Sequence, residues 1–264
     1  MIYWAHQEQV RCKITINHRA SAVRNKVIRL GRILVYTFSM YIVTHLIVFL
    51  YLFPVGTPVI YFDPGKRFII KERIIGSLFK IIGQRLKVLG RENLESDKAY
   101  LIVSNYPGSY AGFALMHVFP KACILVHSFL RRAPIVGFLL KSTGAVFVQQ
   151  KKYGKTKQAI DDMLKHVDNR SILVLPEGGR SPDGRIRKFR NGFVYILRHS
   201  SMDLLPVTLR GFYRLKPMKR LYLDPDSDLE ILIHEPIRNS SITQISDKAL
   251  IRLTEDIIRS AYRP

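Results

Sequence analysis

Leu173, Val174, Leu175, Pro176, Glu177, Gly178, Gly179, Arg180 and Ser181 form the stretch on which the fold reading turns: a short apolar run that stops at a proline and opens into a polar, glycine-containing segment. The apolar part reads as a buried strand and the remainder as the loop that leaves it. Adjacent glycines let backbone N–H groups approach an anion without a Cβ in the way. The guanidinium of Arg180 adds a permanently charged fork that suits phosphate oxygens. Glu177 stands where a carboxylate could keep that fork aimed. An ordinary strand-to-loop turn with Glu177 and Arg180 as a surface ion pair uses the same residues, so the surroundings decide between the two.

Outward from this loop, strand-like and helix-like segments alternate. The patterning predicts strands over Leu86–Leu89, Tyr100–Ser104, Ala122–Val126, Ala145–Val148, Ile172–Leu175, Leu204–Leu209 and Leu229–Ile233. It predicts helices over Phe113–Val118, Ile135–Lys141, Thr156–His166, Phe193–His199 and Asp247–Tyr262. Ser246 is placed to cap the last of these, and Leu250, Leu253, Ile257, Ile258 and Ala261 share one of its faces. Strands separated by helices make a layered α/β domain with a central, mostly covered sheet, whose strand ends carry the ligand-handling loops. That domain takes residues 66–264 and leaves residues 1–65 as a basic N-terminus and membrane-anchoring helical segment.

Charge narrows the partners. The chain has 264 residues, with 42 Lys and Arg against 20 Asp and Glu, a net charge of +22 that exceeds what solubility needs and implies an anionic partner. Nucleic acid, anionic lipid and an acidic carrier protein all qualify. Basic residues cluster at Arg19–Arg32, Lys66–Arg91 and Arg185–Arg190, a dispersal that favours a charged face over a disordered arm. Cys12 and Cys123 are the only cysteines, so neither a disulfide framework nor a zinc site is indicated, and a reducing compartment is the default.

Ile33–Phe53 is apolar enough to anchor the chain: as a helix it extends about 32 Å, the thickness of a bilayer's hydrocarbon core. It starts too late and lacks the small-residue site for a cleavable signal peptide. Its flanks are basic on both sides, so charge counting does not orient it. Pro54, Gly56 and Pro58 leave open a single span or a bent element that returns to the same face. Ile69, Ile70, Ile74, Leu78, Phe79 and Ile82 recur near helical spacing over Phe68–Ile82. A basic helix on a membrane surface and a core-packing helix both fit that stripe.

Four blocks now stand in order. Ile102, Val103, Ser104, Asn105 and Tyr106 come first, and Pro134, Gly137 and Gly144–Val148 second. Pro176–Ser181 with Phe189, Arg190, Asn191 and Gly192 form the third, and Leu205, Pro206 and Val207 the fourth. Over Arg85–Pro236 this order resembles the glycerolipid acyltransferases, the family of the 1-acylglycerol-3-phosphate acyltransferases. The resemblance implies a protein on the cytoplasmic face of a membrane that binds a lysophospholipid or glycerol-phosphate acceptor. It also implies an acyl donor on coenzyme A or acyl carrier protein, and no cofactor. It assigns the phosphate to Glu177, Gly178, Gly179, Arg180 and Ser181, with Asn105, Lys151, Arg190 and Pro206 as accessory residues.

The catalytic pair does not carry over. In the family the first block ends in Asn-His, with an Asp five residues after the His, and this pair strips the proton from the acceptor hydroxyl. Tyr106 stands at the His position and Ala111 at the Asp position. A phenol with an ordinary pKa of about 10 is a poor base at neutral pH, and alanine orients nothing. Loss of general-base help alone removes about 10²- to 10⁴-fold in rate. Gln149 and Gln150 stand where the family carries an Arg after the second block, with Lys151 and Lys152 supplying charge slightly later. Gly179 replaces the usual Thr of the third block at the cost of one hydroxyl.

The binding half is therefore better preserved than the proton-transfer half. A family member that binds phosphate-bearing lipid, with transfer lost or reduced, fits best. A working acyltransferase that uses His117, His127 or an activated Tyr106 as substitute base is the alternative. A nucleic-acid-binding protein suits the charge but lacks a base-stacking motif or recognition helix. Gly154, Lys155 and Thr156 imitate the end of a phosphate-binding P-loop whose first glycine is missing. Gly108, Ser109 and Gly112 read as a turn rather than a nucleophile elbow. Asp161, Asp162 and His166 read as a solvated helix face.

Overall fold

The computed structural model describes residues 23–39, 41–42, 66–142, 144–149, 153–167 and 169–263. Helix α1 covers residues 23–39. It is followed by α2 (Arg67–Ile81), β1 (Leu86–Leu89), β2 (Tyr100–Ser104), α3 (Ala111–Val118), β3 (Cys123–His127), α4 (Pro134–Ser142) and β4 (Val146–Val148). Then come α5 (Tyr153–His166), β5 (Ile172–Val174), α6 (Gly192–Arg198), β6 (Asp203–Arg210), α7 (Phe212–Leu215), β7 (Leu229–Ile233), α8 (Asn239–Ile242) and α9 (Asp247–Ala261). The strands form one seven-stranded sheet in the order β1-β7-β6-β2-β5-β3-β4. β6, β2, β5, β3 and β4 run parallel, β7 is antiparallel to β6, and β1 is parallel to β7.

Burial on both faces explains why β2, β5 and β6 read as nearly unbroken apolar runs. Successive residues of β2 point to opposite faces. Ile102 joins Ile75, Phe79, Leu115, Leu173, Leu205 and Phe212 on the side of α2 and α3. Leu101 and Val103 join Phe193, Leu197, Leu250 and Ile258 on the side of α6 and α9. Of the two readings left open for α2, core packing is the observed one, with Ile75, Phe79 and Ile82 fully inside.

Where elements differ from the sequence reading, the cause is local. β6 extends to Asp203 because the carboxylate of Asp203 accepts from Asn239 N at 2.7 Å and pairs with Lys98 Nζ at 2.8 Å. α9 is capped by Ser246 Oγ, which accepts from Ala249 N. Its buried stripe is Leu250, Thr254 and Ile258, whereas Leu253 is exposed. Thr254 fits there because its hydroxyl donates to Leu250 O at 2.8 Å. Asp161 is not simply solvated, since it accepts from Tyr195 OH at 2.5 Å.

Of the predicted anchor, residues 33–39 and 41–42 are helical. The rest of Ile33–Phe53, with Pro54, Gly56 and Pro58, lies outside the described residues. Among the described residues no helix is long and apolar enough to cross a membrane. α1 lies against the segment before β7. Thr37 Oγ1 accepts from Leu223 N at 3.0 Å and Arg32 pairs with Asp226 at 3.0 Å, while Val27, Val35 and Phe38 stay exposed.

Burial alone would raise the pKa of Asp203. The Lys98 hydrogen bond, the Asn239 N–H and the charges of Lys98 and Arg238 together hold it below the usual carboxylate value. A depressed folded-state pKa contributes stability that is present above the unfolded value of about 4 and is lost as pH falls through the folded value. Asp203→Asn is therefore expected to cost about 1–3 kcal/mol at pH 7 and to flatten the acid limb of stability. Urea midpoints measured from pH 7 down to pH 3 check this; an unchanged acid limb in the variant contradicts it.

Candidate functional site

β2 and β5 are neighbours, so the loops that leave their C-terminal ends meet at one edge of the sheet. Glu177 joins them. Its side chain is 1% exposed, Oε1 accepts from Tyr106 N at 2.6 Å, and Oε2 accepts from Arg187 N at 2.9 Å. Tyr106 O in turn accepts from Ser181 N at 2.9 Å. This corrects the expected role of Glu177. Its carboxylate is turned inward onto backbone donors and does not aim Arg180, and the surface-pair reading fails for the same reason. Burial raises its pKa, an effect opposed by the two N–H donors and by the charges of Arg187 and Arg259.

Arg180 is aimed by Ser109, whose Oγ accepts from its Nη1 at 2.9 Å. Gly178 has φ +69°, a conformation that favours glycine, and its N–H donates to Leu175 O at 3.1 Å. Gly179 does not need positive φ; Arg187 Nη1 lies 3.4 Å from the position its Cβ would take. Ser181 is fully buried, and its hydroxyl donates to Arg185 O at 2.7 Å and accepts from Gly184 N at 2.9 Å. Its hydroxyl therefore shapes the loop and does not face an open site. The C-terminal helix braces the same loop: Tyr262 OH donates to Gly184 O at 2.6 Å and Arg259 Nη2 to Ile186 O at 2.8 Å.

The accessory residues are dispersed. Asn105 is fully buried and clamps β2 to β6, with Nδ2 donating to Leu209 O at 3.0 Å and Leu209 N donating to Oδ1 at 2.8 Å. Pro206 lies inside β6, buried and in register with Val103. Its carbonyl accepts from His234 N where β7 has already ended, so its missing N–H breaks no ladder. Arg190 closes the loop through its backbone, N–H to Pro176 O at 3.0 Å, and its side chain is exposed. Lys151, Lys152 and Gln150 lie outside the described residues. Thr156 of the P-loop imitation is tied to Gln149, its hydroxyl donating to Gln149 O at 2.8 Å.

Tyr106 follows β2 and is tied to the loop through its backbone, and Ala111 opens the next helix. Tyr106 is partly buried, and burial raises its phenol pKa, with only partial relief from the charge of Arg180. That makes it a poorer base than an exposed tyrosine. Ala111 is the first residue of α3 and fully buried. The two histidines weighed as substitute bases make other contacts. His117 faces α2, with Nδ1 3.2 Å from Glu72 O and the ring against Gly76. His127 ends β3, two strands away from β2, and its Nδ1 accepts from Phe129 N at 3.2 Å. The sequence reading missed Ser109 and Arg187 as parts of the loop assembly; the signal for the first was Gly108, on which a Cβ would stand 2.4 Å from Phe212 O.

With this geometry in view, residues 85–210, 126 of the chain's 264, match the acyltransferase family model. A chloroplastic 1-acyl-sn-glycerol-3-phosphate acyltransferase of Arabidopsis thaliana is 24% identical over 213 residues, covering 77% of this chain and 58% of that protein. A chloroplastic relative from Brassica napus is 25% identical and is covered over 50% of its length, so the chain spans little more than half of these relatives. The human beta form of the enzyme is 22% identical, covering 75% of this chain and 73% of its own. The crystal structure of the 1-acyl-sn-glycerophosphate acyltransferase of Thermotoga maritima has the same fold. Its TM-score is 0.74 at 21% identity, over 88% of this chain and 95% of that one.

Glu177→Ala leaves the N–H groups of Tyr106 and Arg187 buried without acceptors. The expected cost is about 2–6 kcal/mol, from about 1–3 kcal/mol for each orphaned donor. Denaturant unfolding measures it, and amide exchange at Tyr106 and Arg187 should accelerate. A loss below 1 kcal/mol, on the order of an ordinary surface change, contradicts the bridge.

Proposed function

We propose that the protein is a membrane-associated member of the acyltransferase family that binds the phosphate of a lysophospholipid or glycerol-phosphate acceptor and has lost, or strongly reduced, acyl transfer. The observation that carries this is the pairing of an ordered cradle, Arg180 aimed by Ser109 beside Gly178, with Tyr106 and Ala111 at the two positions that would move the proton. Attack of a glycerol hydroxyl on a thioester needs a base within hydrogen-bond reach of that hydroxyl. A phenol held above its ordinary pKa does not serve at neutral pH, and both nearby histidines are turned to other partners. An acyl thioester on coenzyme A or acyl carrier protein is the donor class that goes with this reading. The basic surface and the exposed apolar residues of α1 suit an anionic membrane face.

Two experiments test it. Arg180→Ala should weaken binding of lysophosphatidic acid by about tenfold or more, the value of a charge-assisted contact; unchanged affinity removes Arg180 from the site. The double replacement Tyr106→His with Ala111→Asp should create acyl transfer, measured as thiol release from acyl-coenzyme A. An Asp in the first turn of α3 is also favoured by the helix dipole. No gain in a folded variant that still binds the lipid contradicts the assignment of these two positions.

A further inference from the structure

The turn after β6 packs a lysine-bearing loop against the loop that carries Ser109. Gly211, with φ +79°, starts α7, and Lys216 follows it. The loop that carries Ser109 is pressed against this turn. A Cβ on Gly108 would stand 2.4 Å from Phe212 O and 3.2 Å from Lys216 O, and the next residue, Ser109, is the one that aims Arg180. Lys216 is partly buried, and its Nζ donates to Arg220 O at 3.0 Å, which holds the ammonium in place. Arg220 binds back to the carbonyls of Arg214 and Leu215, so the segment locks itself.

The nearby carboxylates are committed elsewhere. Glu177 serves the N–H groups of Tyr106 and Arg187, Asp183 takes Arg185 N, and Asp224 takes Arg214 and Asp226 N. Among the described residues Arg180 donates to Ser109 and Lys216 to a carbonyl, and neither forms an ion pair. Burial together with the charges of Arg180 and Arg220 pushes the Lys216 pKa below that of a free lysine. Two cations held in neighbouring loops without a carboxylate between them repel, and an anion placed between them relieves that repulsion in proportion to its charge.

We propose that Lys216 is the second arm of the headgroup site and that, with Arg180, it selects a phosphomonoester dianion over a singly charged phosphodiester. This rests on the reading of Arg180 as the headgroup cation. Lys216 lies beyond the segment matched by the family model, so the selectivity belongs to the following turn of this chain. Arg180 supplies the planar fork for two oxygens, and the ammonium supplies a point charge for the third.

The test uses the full chain in detergent micelles and two probes with the same acyl chain, lysophosphatidic acid and lysophosphatidylglycerol. The native chain should prefer the phosphomonoester. Lys216→Gln, which removes the charge and keeps an N–H donor on a side chain one bond shorter, should lose about tenfold in affinity for lysophosphatidic acid while staying within about twofold for lysophosphatidylglycerol. Lys216→Arg should retain the preference, and Arg180→Ala should weaken both lipids. A glutamine variant with native preference overturns the inference, as does an equal loss for both lipids. If Arg180→Ala leaves both affinities unchanged while the native chain binds, the reading of Arg180 fails, and the inference with it. A native chain that binds neither lipid overturns both.

Discussion

The carboxylate of Glu177 is the joint on which the site depends. Both oxygens are spent on backbone N–H groups, one from Tyr106 after β2 and one from Arg187 in the segment after β5, and almost none of the side chain reaches solvent. A buried carboxylate is tolerable only when its acceptors are used, and here they are used to hold two loops together rather than to face a ligand. The return bond from Ser181 N to Tyr106 O closes the connection from the other side. Without this carboxylate the loop keeps the Ser181–Tyr106 bond, the Arg180–Ser109 bond and the braces from Arg259 and Tyr262, but loses the tie that joins both segments through one side chain.

From that joint follows a division of labour. The glycine pair, Ser181 and the bracing contacts of α9 give the loop its shape, and the guanidinium of Arg180, held by Ser109, is what remains available to an anion. The same arrangement presents Tyr106 where a proton acceptor would have to act, in surroundings that hold its own proton more firmly. The proposed anion binding and the proposed loss of proton transfer are therefore compatible within one fold. The first is built from backbone geometry and one arginine, whereas the second needs two particular side chains.

The sheet was legible because strands buried on both faces leave unbroken apolar runs, and β2, β5 and β6 are such runs. The four-turn helix α9 announced its start through Ser246, but its inward face was misjudged at Leu253, because a satisfied threonine can occupy a core position that hydrophobicity alone would deny it. The short helices α7 and α8 gave no periodic signal, having only about one turn each. The loop after β5 was legible as a glycine-containing segment leaving a buried strand, yet the partners of Glu177 were not, since backbone donors carry no residue signature. Ser109 was hidden for another reason: its bond to Arg180 arises from the ends of neighbouring strands β2 and β5 converging, which sequence separation conceals. The length of the N-terminal anchor falls mostly outside the described residues, and there the sequence reading stands as an expectation.

The most direct test of the central claim, an anion cradle without a working base, is the pH dependence of acyl transfer by the native chain. Purified protein saturated with lysophosphatidic acid and an acyl-coenzyme A is followed for thiol release between pH 6 and pH 9. The account predicts binding without turnover near neutrality, and no limb with an apparent pKa of about 6–7, where an imidazole base titrates. Robust turnover with such a limb would show that a histidine acts in this site and would contradict the account.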